Sequence, residues 1–102
     1  MPEFEIIRSK TFDEWLRGLR DKRAIARINA RLRQASLGNL GDTVPIGEGV
    51  FEMRIFYGPG YRLYFAREGA YMIVLLCGGD KSSQKRDINR AKGMARAREW
   101  RS

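Results

Sequence analysis

Apolar residues recur at two different spacings along the chain, which separates helical segments from extended ones. Phe4 and Ile6 alternate with acidic residues, and this period of two predicts a first strand that ends near Ser9. Thr11 and Glu14 have the spacing of a capping box, and the apolar residues that follow at helical intervals predict a first helix as far as about residue 19.

A second helix is predicted after Asp21, whose side chain is placed to cap it. Ile25, Ile28, Leu32 and Ala35 recur three and four residues apart and form its buried stripe. Four cations fall on a separate face of the same helix. They are Arg20, Arg23, Arg27 and Arg31. This face is either a docking surface for a partner or simply a solvated one.

The pattern changes after residue 38. Turn-forming residues fill positions 38–49 and predict the single long loop of the chain. Residues 50–56, 61–67 and 70–77 then read as three antiparallel strands joined by turns at 58–60 and 68–69. Ser82 or Ser83 is placed to cap a final helix as far as about residue 97. The predicted fold is one α+β domain over residues 1–102, in the order β-α-α-β-β-β-α, with an antiparallel meander packed by helices.

The amino-acid composition limits the classes of function that the protein can have. The chain has 20 Lys and Arg against 12 Asp and Glu, and 15 of the 20 cations are Arg. Because a guanidinium grips phosphate with two hydrogen bonds, this excess predicts a polyanionic partner, although a basic surface can serve solubility alone. No His and a single Cys exclude His-based catalysis, zinc sites and internal disulfides. We expect a cytoplasmic protein with no metal, no cofactor and no membrane association.

Charged residues alternate along the two strands that flank the 58–60 turn. Glu52 and Arg54 share one sheet face, and so do Arg62 and Tyr64. If the hairpin pairs symmetrically about that turn, Arg54 lies nearly opposite Tyr64 and Arg62 approaches Phe56, so one face presents all four polar residues. The simpler alternative is a cross-strand salt bridge between Glu52 and an arginine.

Residues 78–84 form a second candidate site. Two glycines are predicted to leave the strand there and lead into a helix N-terminus, whose free N–H groups attract phosphate. Lys81 would project beside the sheet face. The segment lacks the spacing of a nucleotide-binding P-loop, and an ordinary connection capped by a serine fits the same residues.

Four segments together resemble a known family. They are VFEMRI (50–55), GPGYRLYF (58–65), LLCGGDKSSQ (75–84) and DINRA (87–91). This series is similar to the phage-derived, HigB-like addiction-module killer proteins of the RelE/ParE toxin superfamily, and the similarity extends over nearly the whole chain. The final helix differs from some ribosome-dependent members, because residues 84–101 contain no Tyr.

The resemblance implies the toxin of a type II toxin–antitoxin system, active as an endoribonuclease on messenger RNA in the ribosome. It implies a cognate antitoxin partner, often a HigA-like helix-turn-helix protein, which we expect to cover the arginine face of the second helix, the basic sheet face, or both. By position, Arg54 and Arg62 match the family's sheet-face cations, and Lys81 matches its basic residue after the last strand. Lys85 and Arg86 complete the expected RNA-binding set.

Cleavage without metal requires that the 2′-hydroxyl attack its own phosphate while a proton is removed and the leaving oxygen is protonated. We expect Lys81 or Glu52 to be the base, Arg62 to clamp the phosphate, and Arg54 to act as clamp or as acid through a water, with Tyr64 as a further candidate acid. Two alternatives stay open. One is a ParE-like inhibitor of DNA gyrase without catalysis, and the other is a basic nucleic-acid-binding module without enzymatic activity.

Overall fold

A computed structural model describes residues 3–98 as five strands and three α-helices. In chain order these are β1 (Glu5–Arg8), α1 (Lys10–Gly18), α2 (Lys22–Ser36), β2 (Thr43–Gly47), β3 (Val50–Ile55), β4 (Tyr61–Glu68), β5 (Met72–Asp80) and α3 (Gln84–Ala97), with a 3-10 turn over Lys81–Ser83. The predicted α+β class is confirmed. No helix within residues 3–98 is long and apolar enough to span a membrane.

The strands form one mixed sheet in the order β1-β5-β4-β3-β2. From β2 to β5, each strand pairs antiparallel with the next strand in the chain, whereas β1 pairs parallel with β5. The predicted antiparallel meander is therefore confirmed. β5 lies inside the sheet and is buried along most of its length, as a continuous apolar strand predicts.

The sheet separates two apolar layers. α1 and α2 bury Phe12, Leu16 and Ile28 against one face, while α3 buries Ala91 and Met94 against the other. The alternation of side chains along a strand decides which layer each strand residue enters. On β4, Leu63 and Phe65 enter the first layer, whereas Tyr64 and Ala66 enter the second.

Short polar side chains begin the first two helices. Asp21 accepts hydrogen bonds from the first amides of α2, as predicted. The predicted capping box of Thr11 and Glu14 is wrong, because Ser9 caps α1 and the helix begins at Lys10, two residues earlier than a Thr11 cap requires. Ser9 Oγ accepts a hydrogen bond from the Phe12 amide at 3.0 Å and donates one to the Leu76 carbonyl at 2.7 Å, which ties α1 to β5.

The predicted 38–49 loop is wrong in its second half, which contains β2. β2 lies at the sheet edge, where Pro45 is tolerated because an edge strand can lack one ladder donor. A tight turn at Glu48 and Gly49, both with positive φ, returns the chain into β3. The strand was not predicted from sequence because Pro45 and the glycines of this segment are typical of loops. In the structure they belong to a bulged edge strand and to a hairpin turn.

The predicted exit from the last strand at Gly78 is also wrong. β5 continues to Asp80, so both glycines are strand residues. The Asp80 side chain caps the following 3-10 turn, and its pKa is lowered chiefly by the hydrogen bond from the Ser82 hydroxyl. α3 begins at Gln84, and the Ser83 side chain does not cap it, because its hydroxyl donates instead to Asp87.

Candidate functional site

The β3–β4 hairpin sets the geometry of the predicted basic site. Its register pairs Arg54 with Arg62 and Glu52 with Tyr64. The predicted pairing of Arg54 with Tyr64 is therefore wrong by two residues. The hairpin is centred on Gly58, where the Gly60 amide donates to the Tyr57 carbonyl at 3.1 Å, and not on Pro59 as a symmetric 58–60 turn requires.

Arg54 and Arg62 are consequently direct cross-strand neighbours. Like charges in this position destabilise a sheet unless each one is compensated. Arg54 Nη2 lies 2.9 Å from Asp42 Oδ1, and this hydrogen bond raises the pKa of Arg54. Arg62 Nε lies 3.6 Å from Glu52 Oε2, and Arg62 Nη1 donates to the Gly60 carbonyl at 3.0 Å. The two arginines thus occupy paired strand positions, and each forms an ion pair with its own carboxylate.

Glu52 and Tyr64 were expected on an open sheet face. This expectation is wrong, because α3 covers both residues. Glu52 is only 3% exposed and Tyr64 is fully buried. Glu52 Oε2 accepts hydrogen bonds from the Tyr64 hydroxyl at 3.2 Å and from Gln84 Nε2 at 2.9 Å. Burial, reinforced by the Glu52 charge, raises the pKa of Tyr64, so its phenol stays protonated. Both residues are placed to position Arg62 from behind.

Lys81 lies beside this pair of arginines. A Cβ added at Gly60 would be 3.3 Å from Arg62 Nη1 and 3.7 Å from Cβ of Lys81, so both side chains start from the same corner of the molecule. Lys81 is exposed at the beginning of the 3-10 turn. Lys85 and Arg86 follow on the first turns of α3, also exposed. The predicted RNA-binding residues therefore share one end of the sheet.

The arginine face of α2 separates into two parts. The predicted place of Arg20 on this helix is wrong, because α2 begins at Lys22 after its cap Asp21, and Arg20 is an exposed residue of the connection before it. Arg23 and Arg27 are exposed on α2, and the Arg27 guanidinium lies 4.6 Å from the centre of the Tyr57 ring. Arg31 does not belong to this exposed face. Its Nη1 donates to the Arg54 carbonyl at 2.6 Å and its Nη2 to the Leu40 carbonyl at 3.1 Å, and burial lowers its pKa.

A groove between α1 and α3 was not predicted. Its volume is about 940 Å³, and it is lined by Trp15 and Tyr61 as well as by Lys85 and Arg86. Trp15 is one of the apolar residues whose helical spacing predicted α1, and that spacing is typical of a core residue. Nothing in the local sequence shows that its side chain lines a groove. The buried carboxylate of Asp87, 3% exposed, also escaped the sequence analysis. Within residues 3–98 no cluster of three or more metal-ligating side chains is present.

Comparison with known proteins adds a relative. Over 85 residues the chain is 48% identical to an uncharacterized protein of Haemophilus influenzae, and the match covers 83% of this chain and 86% of the relative. The chain belongs to the family of that Haemophilus protein. No family model matches it.

The arrangement suits the binding of a negatively charged group. Two guanidinium groups fixed at one strand end can hold the oxygens of a phosphate, and the exposed ammonium of Lys81 can approach the same group. Desolvation of such a phosphate by the neighbouring sheet would strengthen each contact. The part of the chain that the structure describes therefore supplies a cationic centre, held from below by two carboxylates.

Proposed function

We propose that this protein is the toxin of a type II toxin–antitoxin system and acts as an endoribonuclease on messenger RNA in the ribosome, without a metal. The observation that carries the proposal is the direct pairing of Arg54 with Arg62 beside Lys81. Two arginines in directly paired strand positions weaken a sheet. The presence of such a pair here, with one carboxylate for each arginine, therefore favours a functional role for the two side chains. Phosphate is the ligand that such a pair suits best.

In the proposed reaction the 2′-oxygen of one nucleotide attacks its own 3′-phosphorus. The bond to the 5′-oxygen of the next nucleotide breaks, which leaves a 2′,3′-cyclic phosphate and a protonated 5′-hydroxyl. Arg62 and Arg54 hold the non-bridging oxygens, where negative charge increases in the transition state. The proton of the 2′-hydroxyl passes to the free amine form of Lys81, or to the Glu52 carboxylate when Arg62 turns from it toward the phosphate. The leaving 5′-oxygen takes its proton from a water bound to Arg54. Tyr64 positions Glu52.

The exposed α2 arginines support the expected antitoxin contact. Arg23 and Arg27 are exposed four residues apart on α2, and Arg20 is exposed just before this helix. A protein with a net charge of +8 favours an acidic or extended partner segment. We expect a HigA-like helix-turn-helix protein to present such a segment. Charge reversal at Arg23 and Arg27 should weaken that complex, and an unchanged affinity would leave this face as an ordinary solvated surface.

The function is tested by expressing the protein alone in a bacterial host. We expect growth arrest, loss of amino-acid incorporation within minutes, and messenger RNA fragments that form only when ribosomes are present. Arg62→Ala, confirmed to have the wild-type melting temperature, is the matched inactive variant. Continued protein synthesis with failing DNA supercoiling would make the protein a gyrase inhibitor. RNA binding with no cleavage under any condition would make it a non-enzymatic binding module.

A further inference from the structure

The groove between α1 and α3 is lined in part by Tyr61, which precedes Arg62 in β4, and it is not used by the reaction proposed above. One wall is Trp15 of α1, and the opposite wall is formed by Arg86 and Arg90 of α3. β5 contributes Gly78 and Gly79 to the lining, and β4 contributes Tyr61. An opening of about 940 Å³ is large enough for a small ligand, since such sites usually measure about 300–1,000 Å³.

The position of the Trp15 ring is fixed by its neighbours. A Cβ at Gly78 would lie 2.4 Å from two atoms of the indole, so only a glycine allows the ring to lie against β5. Phe12 and Tyr61 contact the same ring, with centroid distances of 5.7 and 6.2 Å. The ring is partly exposed and lines the groove. A preorganised aromatic surface of this kind is suited to stacking a planar group.

The opposite wall is cationic. Arg86 and Arg90 are four residues apart on α3 and therefore point the same way, which is unfavourable for like charges on a helix. Arg86 Nε lies 3.5 Å from Asp87 Oδ1. Neither Lys85 nor Arg90 forms an ion pair with any residue of 3–98. These side chains can accept a phosphate without breaking a strong salt bridge.

We infer that the groove binds one nucleotide of single-stranded RNA, with its base stacked on Trp15 and its phosphate held by Arg86 and Arg90. This inference rests on the proposed function, and it adds a site that holds the RNA beside the point of cleavage. Stacking on an aromatic ring tolerates any base, so the groove supplies affinity and register but little sequence preference. An extended peptide paired with the edge of β5 fits less well, because Gly79 of β5 is buried beside Asp87 and Ser83.

The inference can be tested without RNA cleavage. The protein contains two tryptophans, and a Trp100→Phe background leaves Trp15 as the only indole. The probe is a 2′-O-methyl RNA hexanucleotide, which lacks the attacking hydroxyl and therefore binds without reacting. Trp15 fluorescence should be quenched on titration. Arg90→Ala should weaken binding roughly tenfold and reduce the salt dependence by about one phosphate contact. Arg33→Ala, which removes an exposed arginine of α2, is the matched control and should bind as wild type.

Gly78→Ala provides a second, independent variant, because the added methyl group must push the indole away from β5. It should reduce both the quenching and the affinity, while thermal unfolding shows that the variant is folded. Unchanged Trp15 fluorescence at saturating RNA, or wild-type affinity for Arg90→Ala, would overturn the inference. So would quenching by an acidic peptide but not by RNA. If the variants lose RNA affinity in this assay but still cleave messenger RNA at the wild-type rate, the groove site is contradicted and the proposed reaction is not. If the groove binds RNA and the protein cleaves none, only the proposed reaction is contradicted.

Discussion

Replacement of Gly79 by alanine should strongly destabilise the folded protein, because Asp87 occupies the space that a side chain would need. An ideal Cβ at this position lies 1.8 Å from Asp87 Oδ2, 2.9 Å from Asp87 Cγ and 2.8 Å from Ser83 Oγ. No rotation of the alanine methyl relieves a contact with a carboxylate this close. The Asp87 side chain, 3% exposed, must therefore leave its site or α3 must shift away from the sheet.

The size of the effect follows from two terms. Overpacking a well-filled site costs about 1–3 kcal/mol. Moving the carboxylate also breaks its hydrogen bond with the Ser83 hydroxyl and leaves a buried polar group without a partner, which costs about a further 1–3 kcal/mol. Together these terms lower the free energy of unfolding by about 2–6 kcal/mol, a large part of the 5–15 kcal/mol that typical domains have.

Urea denaturation followed by circular dichroism measures this loss. With a dependence of about 1–3 kcal/mol per molar urea, the midpoint should fall by about 1 M or more. Gly18→Ala is the control, because no heavy atom lies within 4 Å of the added Cβ and its backbone is compatible with alanine. It should be neutral or slightly stabilising. A loss below about 1 kcal/mol for Gly79→Ala would refute the packing described for β5 and α3.

Three further substitutions test other parts of the structure. Arg31→Ala removes a buried donor to backbone carbonyls and should lower the free energy of unfolding by about 2–3 kcal/mol. Arg27→Ala, at the surface, should lower it by under about 1 kcal/mol. Equal losses for the two variants in urea titrations would contradict this difference. Glu52→Ala leaves buried partners without their carboxylate and should cost about 3–5 kcal/mol, with a smaller loss for Glu52→Gln; thermal unfolding of both variants checks the order. The hydrogen bond from Ser82 lowers the pKa of Asp80 in the folded protein. The stabilisation that results is present above the pKa of Asp80 in the unfolded chain, and it is lost as the pH falls through the pKa in the folded protein. Asp80→Asn should therefore lose less stability than wild type between about pH 5 and 2, and parallel stability curves for the two proteins would refute this.

Much of the fold could be predicted from local patterns. The periods of two and 3.6 located the meander and all three helices, and Asp21 was identified as the cap of α2. β2 was missed because Pro45 and the flanking glycines suggest a loop, while only pairing with β3 makes this segment a strand. The hairpin register was missed by two residues because the prediction centred the 58–60 turn on Pro59, whereas the paired strands are centred on Gly58.

The candidate site was predicted in composition but not in arrangement. Arg54, Arg62 and Lys81 lie close together, as their sequence positions suggested. The burial of Glu52 and Tyr64 depends on where α3 crosses the sheet, and strand periodicity carries no information about that crossing. The groove depends on three elements that are distant in sequence, since Trp15 meets Gly78 only after β5 and α1 pack together.

The central claim is that Arg62 holds the scissile phosphate through a two-point guanidinium contact. Its most direct test is the single-turnover cleavage rate of messenger RNA in programmed ribosomes, measured for wild type and for Arg62→Lys at equal melting temperature. Lys keeps the charge but cannot make the bidentate contact. We predict cleavage by wild type and a rate at least about 100-fold lower for the variant. A wild-type rate for Arg62→Lys, or no cleavage by the wild-type protein, would contradict the account.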